Sequence, residues 1–147
     1  MDYVTYIRSL VGNNKIIMNA GAVVIYNSNN EILLQHRGDD HFWGLPGGIM
    51  EMNETPKQTA IREAFEETGY HIKITGYLGD YHNFNKEWPG GDKAHIICFV
   101  FKGIIESGEM VIDGLETLDL KWFSKDNLPI IDALDHKQAI QDFYKII

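Results

Sequence analysis

The sequence predicts an α/β or α+β sandwich. Three observations carry that expectation. Apolar runs bounded by turn residues recur along the chain, as strands do. One strongly capped helical segment stands among them, and a second helical segment closes the chain. Strands mixed with a central and a terminal helix bury their apolar surface by packing helices on a sheet. The length of 147 residues suits a single domain spanning 1–147, long enough to bury a core without staples.

Each element has its own reason. "DYVTYIRSL" places Tyr3, Tyr6, Ile7 and Leu10 at helical spacing, which predicts a short N-terminal helix or arm over about 1–12. "AGAVVIYN" and "EILLQHR" read as strands joined by the turn "NSNN". "GDDHFWGLPGGIMEMNE" is a glycine-rich loop that carries a short strand. "TPKQTAIREAFEETG" is a helix, with Thr55 as N-cap, Pro56 in its first position and Gly69 as C-cap. "YHIKITGYLGDYHNF" and "KAHIICFVFKGII" read as strands around the loop "NKEWPGGD". "ETLDLKWFS" alternates like a strand, and "DALDHKQAIQDFYKII" closes the chain as a helix.

Composition narrows the function. The formal net charge of −8 argues against a general nucleic-acid binder, whose affinity comes from neutralising phosphates. An anionic ligand would need help from cations. No apolar run reaches the roughly 20 residues of a membrane span. Asp2 and the broken apolar pattern of the N-terminus do not resemble a signal peptide, so a cytoplasmic location is expected. Cys98 is the single cysteine and lies in the apolar run "HIICFVF", as a buried, inert thiol would.

The informative stretch is "REAFEETGY". Glu63, Glu66 and Glu67 stand at i, i+3 and i+4, on one helix face, opposite a stripe of Ile61, Ala64, Phe65 and Thr68. Glu63 and Glu67 form a like-charge pair that costs a few tenths of a kcal/mol. Glu66 and Glu67 lie in the last turn, where the helix dipole disfavours anions by roughly 0.3–1 kcal/mol. Local rules broken together tend to mark a functional site. A divalent cation would remove the repulsion. Carboxylates without Cys or His select a hard ion, Mg²⁺ first and Mn²⁺ second. Just upstream, Pro46, Gly47 and Gly48 make a tight loop that can bring backbone oxygens close to a metal or phosphate.

Gly48, five residues, Glu54, seven residues, then Arg62-Glu63-Ala64-Phe65-Glu66-Glu67-Thr68-Gly69-Tyr70 resembles the full signature of the Nudix (MutT-like) hydrolases. The likeness extends over nearly the whole chain. "GAVVIYNSNNEILLQHR" is similar to the family's first hairpin, "WGLPGG" to its lead-in and "LKWFSKDNLP" to its late strand and turn.

The resemblance implies an α/β/α sandwich with a mixed sheet and a loop–helix–loop catalytic motif. It implies Mg²⁺-dependent hydrolysis of the pyrophosphate in a nucleoside diphosphate linked to another group, X. The metal ligands would be Glu63, Glu66, Glu67 and the Gly48 carbonyl. Glu54 would orient or extend that shell; Gly47, Arg62 and Gly69 would be structural. Two carboxylates compete for the general base: Glu63, and Glu116 outside the signature. Arg37, at a strand end, and Trp88, on a Pro/Gly loop, are candidates to meet substrate phosphate and base. Trp43 reads as packing. Two other readings stay open: a non-catalytic nucleotide-binding regulator, and action on RNA 5′ ends or dinucleoside polyphosphates. Many relatives are dimers, so a homodimer through the Tyr3/Tyr6/Ile7/Leu10 stripe is a further expectation.

Overall fold

A computed structural model describes residues 1–147. Helix α1 (Tyr3–Val11) precedes strands β1 (Ile16–Tyr26), β2 (Ile32–Arg37), β3 (Trp43–Gly44) and β4 (Gly47–Ile49). Helix α2 (Pro56–Thr68) follows, then the long hairpin β5 (Tyr70–Glu87) and β6 (Lys93–Gly108). Strand β7 (Thr117–Phe123), a 3₁₀ turn and helix α3 (Leu134–Ile146) complete the chain. No helix is long and apolar enough to cross a membrane.

The sheet is mixed. Along it run β3, β2, β1, β6 and β5; β4 pairs with β1, and β7 with β2. The β1–β6 pairing is parallel, from Ile16 opposite Ala94 to Ile25 opposite Gly103; the other pairings between strands are antiparallel. Strand β1 shares its other edge between two partners. Ala20–Ala22 pair with β4, and Ile25 and Tyr26 pair with β2. Six consecutive buried residues in β1 fit a central strand covered on both faces.

Alternation along β1 feeds two cores. Ala20, Ala22 and Val24 face a cluster with Ala139, Ile140 and Phe143 of α3. Val23 and Ile25 face a second cluster with Ala60 and Ala64 of α2. Helices therefore cover opposite faces, and the fold is the expected α/β/α sandwich. The parallel pair β1–β6 requires a long crossover, and α2 with β5 supplies it.

The central helix has the predicted ends. Thr55 accepts from the Gln58 amide while the Gln58 side chain accepts from the Thr55 amide, and Gly69 adopts a left-handed φ of 83°. Its buried face differs from the expected one. Ala60, Ala64, Glu67 and Thr68 are buried, while Phe65 is 45% exposed and stacks on His71. The expected common face for the glutamates also divides. The Glu67 side chain is 5% exposed and the Glu66 side chain 51%. Helix α1 is rotated as well: Tyr3, Val4 and Ile7 pack on the core, leaving Tyr6 and Leu10 outside. The β5–β6 strands run further than expected, so "NKEWPGGD" shrinks to a turn closed by the Trp88 amide on the Asp92 carbonyl.

Candidate active site

Strand β4 lies against the C-terminal half of α2, and glycines permit the approach. The Gly47 N–H donates to Glu67 Oε1 at 2.8 Å. A Cβ on Gly47 would come within 2.6 Å of the Ala22 side chain, and one on Gly48 within 2.5 Å of the Glu63 carboxyl carbon. Any side chain at Gly48 would displace the Glu63 carboxylate.

Arg62 ties the acidic groups together. Its Nε and Nη2 donate to the two oxygens of Glu54 at 2.7 and 3.0 Å. Its Nη1 reaches Glu63 at 2.9 Å and Glu66 at 3.3 Å, and Nη2 also donates to the Ile49 carbonyl. Glu54 accepts further bonds from the Thr59 hydroxyl and the Glu51 amide. These bonds, the Arg62 fork above all, hold the Glu54 carboxyl at about 2. The guanidinium fork suits such planar, two-point contact. Arg62 thus spans the loop before α2 and three signature carboxylates at once.

Glu67 is different. Burial pushes its carboxyl up to about 8, against the opposing pull of Arg37, whose Nη1 stands 3.6 Å from Glu67 Oε2. Burial also raises Glu63, with Arg62 pulling the other way. Arg37 is shared, because its guanidinium also binds Asp39 at 2.9 Å. A nearly buried carboxyl held by one amide and one long ion pair lacks a close positive charge. An all-oxygen donor set around it fits a hard divalent cation.

The expected residues fall around two adjoining clefts. The first, about 540 Å³, brings Arg37, Gly47, Gly48, Glu63, Glu67 and Glu116 to one opening. Glu66 stands outside its walls, on the Arg62 side. Glu116 is exposed, forms no ion pair, and is anchored by its backbone carbonyl, which accepts from the Gly38 amide. The second cleft, about 420 Å³, shares Arg37, Gly47 and Gly48 with the first. Trp88 lines it half-buried, with Lys86 5.4 Å and Arg8 6.0 Å from its ring. Trp43 both packs and lines this cleft: it stacks on His36 at 4.8 Å and meets Phe123 edge-on. Cys98 is buried on its floor, and burial raises the thiol well above its usual range.

Two wall residues had no signal in the sequence pattern. Asp135 and His136 enter the second cleft from the first turn of α3. The adjacent acid and imidazole in "DALDH" were visible, but nothing local tied a helix start near the chain's end to a strand near its beginning.

A mixed sheet between helices, with a glycine loop folded onto a carboxylate-bearing helix, is the Nudix arrangement. Residues 16–143 match the family model of the NUDIX domain, and the chain belongs to that family. It is 36% identical over 121 residues to a putative 8-oxo-dGTP diphosphatase of Bacillus subtilis, covering 82% of this chain and 76% of that protein. It is 33% identical over 124 residues to the ADP-ribose pyrophosphatase of Methanocaldococcus jannaschii, covering 82% and 70%. Among solved structures, a UDP-X diphosphatase superposes with a TM-score of 0.75 at 23% identity, covering 97% of this chain and 68% of that one. A MutT Nudix hydrolase from Burkholderia pseudomallei gives 0.74 at 23% identity, covering 86% and 97%. These structural likenesses show the fold. The sequence relatives place the chain among the Nudix pyrophosphohydrolases, whose named substrates differ.

Proposed function

We propose that this protein hydrolyses the pyrophosphate linkage of a small nucleotide, a nucleoside diphosphate linked to X such as ADP-ribose or a nucleoside triphosphate, with Mg²⁺ as its cofactor. One observation carries the reading: Arg37, Gly48, Glu63, Glu67 and Glu116 meet at one cleft that opens into an aromatic-walled one. The first suits a metal and phosphates, the second a nucleoside.

Glu63, Glu66, Glu67 and the Gly48 carbonyl would hold Mg²⁺, which supplies charge neutralisation and a more acidic water when bound. Mn²⁺ has the same preference for oxygen ligands and would substitute. Arg37 presents a cation to the phosphates once Asp39 yields one of its contacts. A water oxygen adds to one phosphorus, the bridging P–O bond breaks, and the freed phosphate oxygen carries away the bonding pair. The water proton passes to a carboxylate. Glu116 is the better placed for this, because Glu63 is engaged by Arg62. Trp88 and Trp43 offer faces against which a base can stack. Arg62, Glu54, Gly47 and Gly69 hold the loop and helix in register.

A panel of nucleotides with Mg²⁺, followed by product identification, tests the proposal. A sugar-linked diphosphate should yield a nucleoside monophosphate and a sugar phosphate. A triphosphate should yield a monophosphate and pyrophosphate. ¹⁸O-labelled water identifies the attacked phosphorus. Turnover should vanish in chelator and return with Mg²⁺ or Mn²⁺. Cleavage of capped or triphosphorylated RNA alone would overturn the small-substrate reading.

A further inference from the structure

Strand β2 sends two side chains toward the end of α2. Arg37 reaches Glu67 at the first cleft. Two residues earlier, Gln35 is 1% exposed, on the face of β2 whose Leu33 packs with Ala60 and Ala64. Its Nε2 donates to Thr117 Oγ1 at 2.8 Å and reaches the Glu116 carbonyl at 3.4 Å. Thr117 Oγ1 in turn donates to the Glu67 carbonyl at 2.9 Å. A hydroxyl has one proton, so Thr117 can only accept from Gln35. That fixes the side-chain amide. Its NH₂ end faces Thr117 and Glu116, and Oε1 is turned away from them.

Oε1 is the single buried side-chain nitrogen or oxygen without a hydrogen-bond partner. An unmatched buried acceptor lowers stability. Methionine has a similar length and would fill the position without that cost. A polar group kept against stability tends to serve a site. The site within reach is the acidic cluster. Burial raises the Glu67 carboxyl, while Arg37, the Gly47 amide and the Gln35 side chain favour its charged form. Gln35 itself stands outside the walls of the cleft, so it has no route to a substrate.

We propose that Gln35 is a positioning residue for the metal site, holding Glu67 and the strand end that carries Glu116 in the arrangement that takes a divalent cation. The inference rests on the proposed function only in assigning Glu67 to the metal. Through Thr117, the Gln35 donors tie the last turn of α2 to the start of β7. The Glu67 and Glu116 side chains, both at the cleft, are thereby held at a fixed spacing. Groups that brace a ligand from behind set metal affinity almost as the ligands do.

Calorimetry with Mn²⁺ on nucleotide-free protein tests this without turnover. Gln35→Met should weaken Mn²⁺ binding by about 10–100-fold, the scale for a group that braces a metal ligand. Its thermal midpoint in chelator should equal or exceed that of wild type, because the unmatched oxygen is gone. In a Glu67→Gln background the same change should add little, since its effect passes through Glu67. Wild-type affinity in Gln35→Met overturns the inference. So does a midpoint well below wild type, or failure to fold, either of which would make the amide a packing element. Full additivity with Glu67→Gln overturns it as well. Nucleotide hydrolysis with Mn²⁺ affinity unmoved by Gln35→Met leaves the proposed function standing and this inference fallen. Mn²⁺ binding that depends on Gln35, in a protein that hydrolyses no nucleotide, does the reverse.

Discussion

Glu67 and Gly47, twenty residues apart in the chain, are joined by a hydrogen bond of 2.8 Å from the Gly47 N–H to Oε1. The bond locks the glycine loop to the last turn of α2. It also aims the most buried of the three helix glutamates at the cleft. The cost of charging the cluster, chiefly loss of solvation, therefore falls on a residue that cannot escape into water.

Replacing Glu67 by Gln keeps the acceptor and removes the charge. The metal-free variant should be at least as stable as wild type above about pH 8, in thermal melts. Its turnover should fall by at least the roughly 10–100-fold that loss of an outer partner of a metal ligand costs. Near wild-type turnover would remove Glu67 from the ligand set.

The raised Glu67 carboxyl makes metal binding depend on pH. In metal-free protein the folded state keeps this proton up to about pH 8, while the unfolded chain loses it in the ordinary carboxyl range. This contribution to stability is complete below the unfolded value and disappears as pH rises through about 8. A cation must displace the proton, so Mg²⁺ affinity should climb with pH and level off near that value. Titrations across this range check the slope; a flat profile in wild type that matches Glu67→Gln would refute the linkage.

Arg62→Lys should destabilise the fold by about 1–3 kcal/mol, because Glu54 and Glu63 lose a charged fork and stay half-buried. Urea unfolding measures it. Mg²⁺ should recover part of the loss, since it binds only the assembled cluster. A wild-type midpoint would show the network to be dispensable.

Glu116→Gln and Glu63→Gln separate two roles. If Glu116 is the base, its variant should lose about 10²–10⁴ in kcat with unchanged metal affinity, while Glu63→Gln loses affinity as well. Full activity in Glu116→Gln would return the proton to Glu63.

Trp88→Ala should raise KM by the equivalent of roughly 1–3 kcal/mol, the scale of a base–aromatic stack, with kcat little altered. An unchanged KM would confine Trp88 to packing between Arg8 and Lys86.

Much of this protein was legible from residues close together in the chain. Thr55, Pro56, Gln58 and Gly69 mark the ends of α2, because caps are made by neighbours within a turn. The apolar runs mark their strands, because side-chain direction alternates locally. The spacing from Gly48 through Tyr70 carried the family, and clustered glutamates carried the expectation of a cation.

The fold had to decide what depends on distant partners. A helix can bury any of several adjoining faces, and the sheet under α2 took the one holding Glu67 rather than Phe65. That choice raised the Glu67 carboxyl to about 8 and left Glu66 in solvent. Arg62 found Glu54 eight residues back, and Arg37 found Glu67 from another element. Packing of α3 against the face of β1 that carries Ala20 and Ala22 brought Asp135 and His136 into a cleft lined by both. Desolvation and charge pairing act through space, so they follow from which surfaces meet and not from the order of residues along the chain.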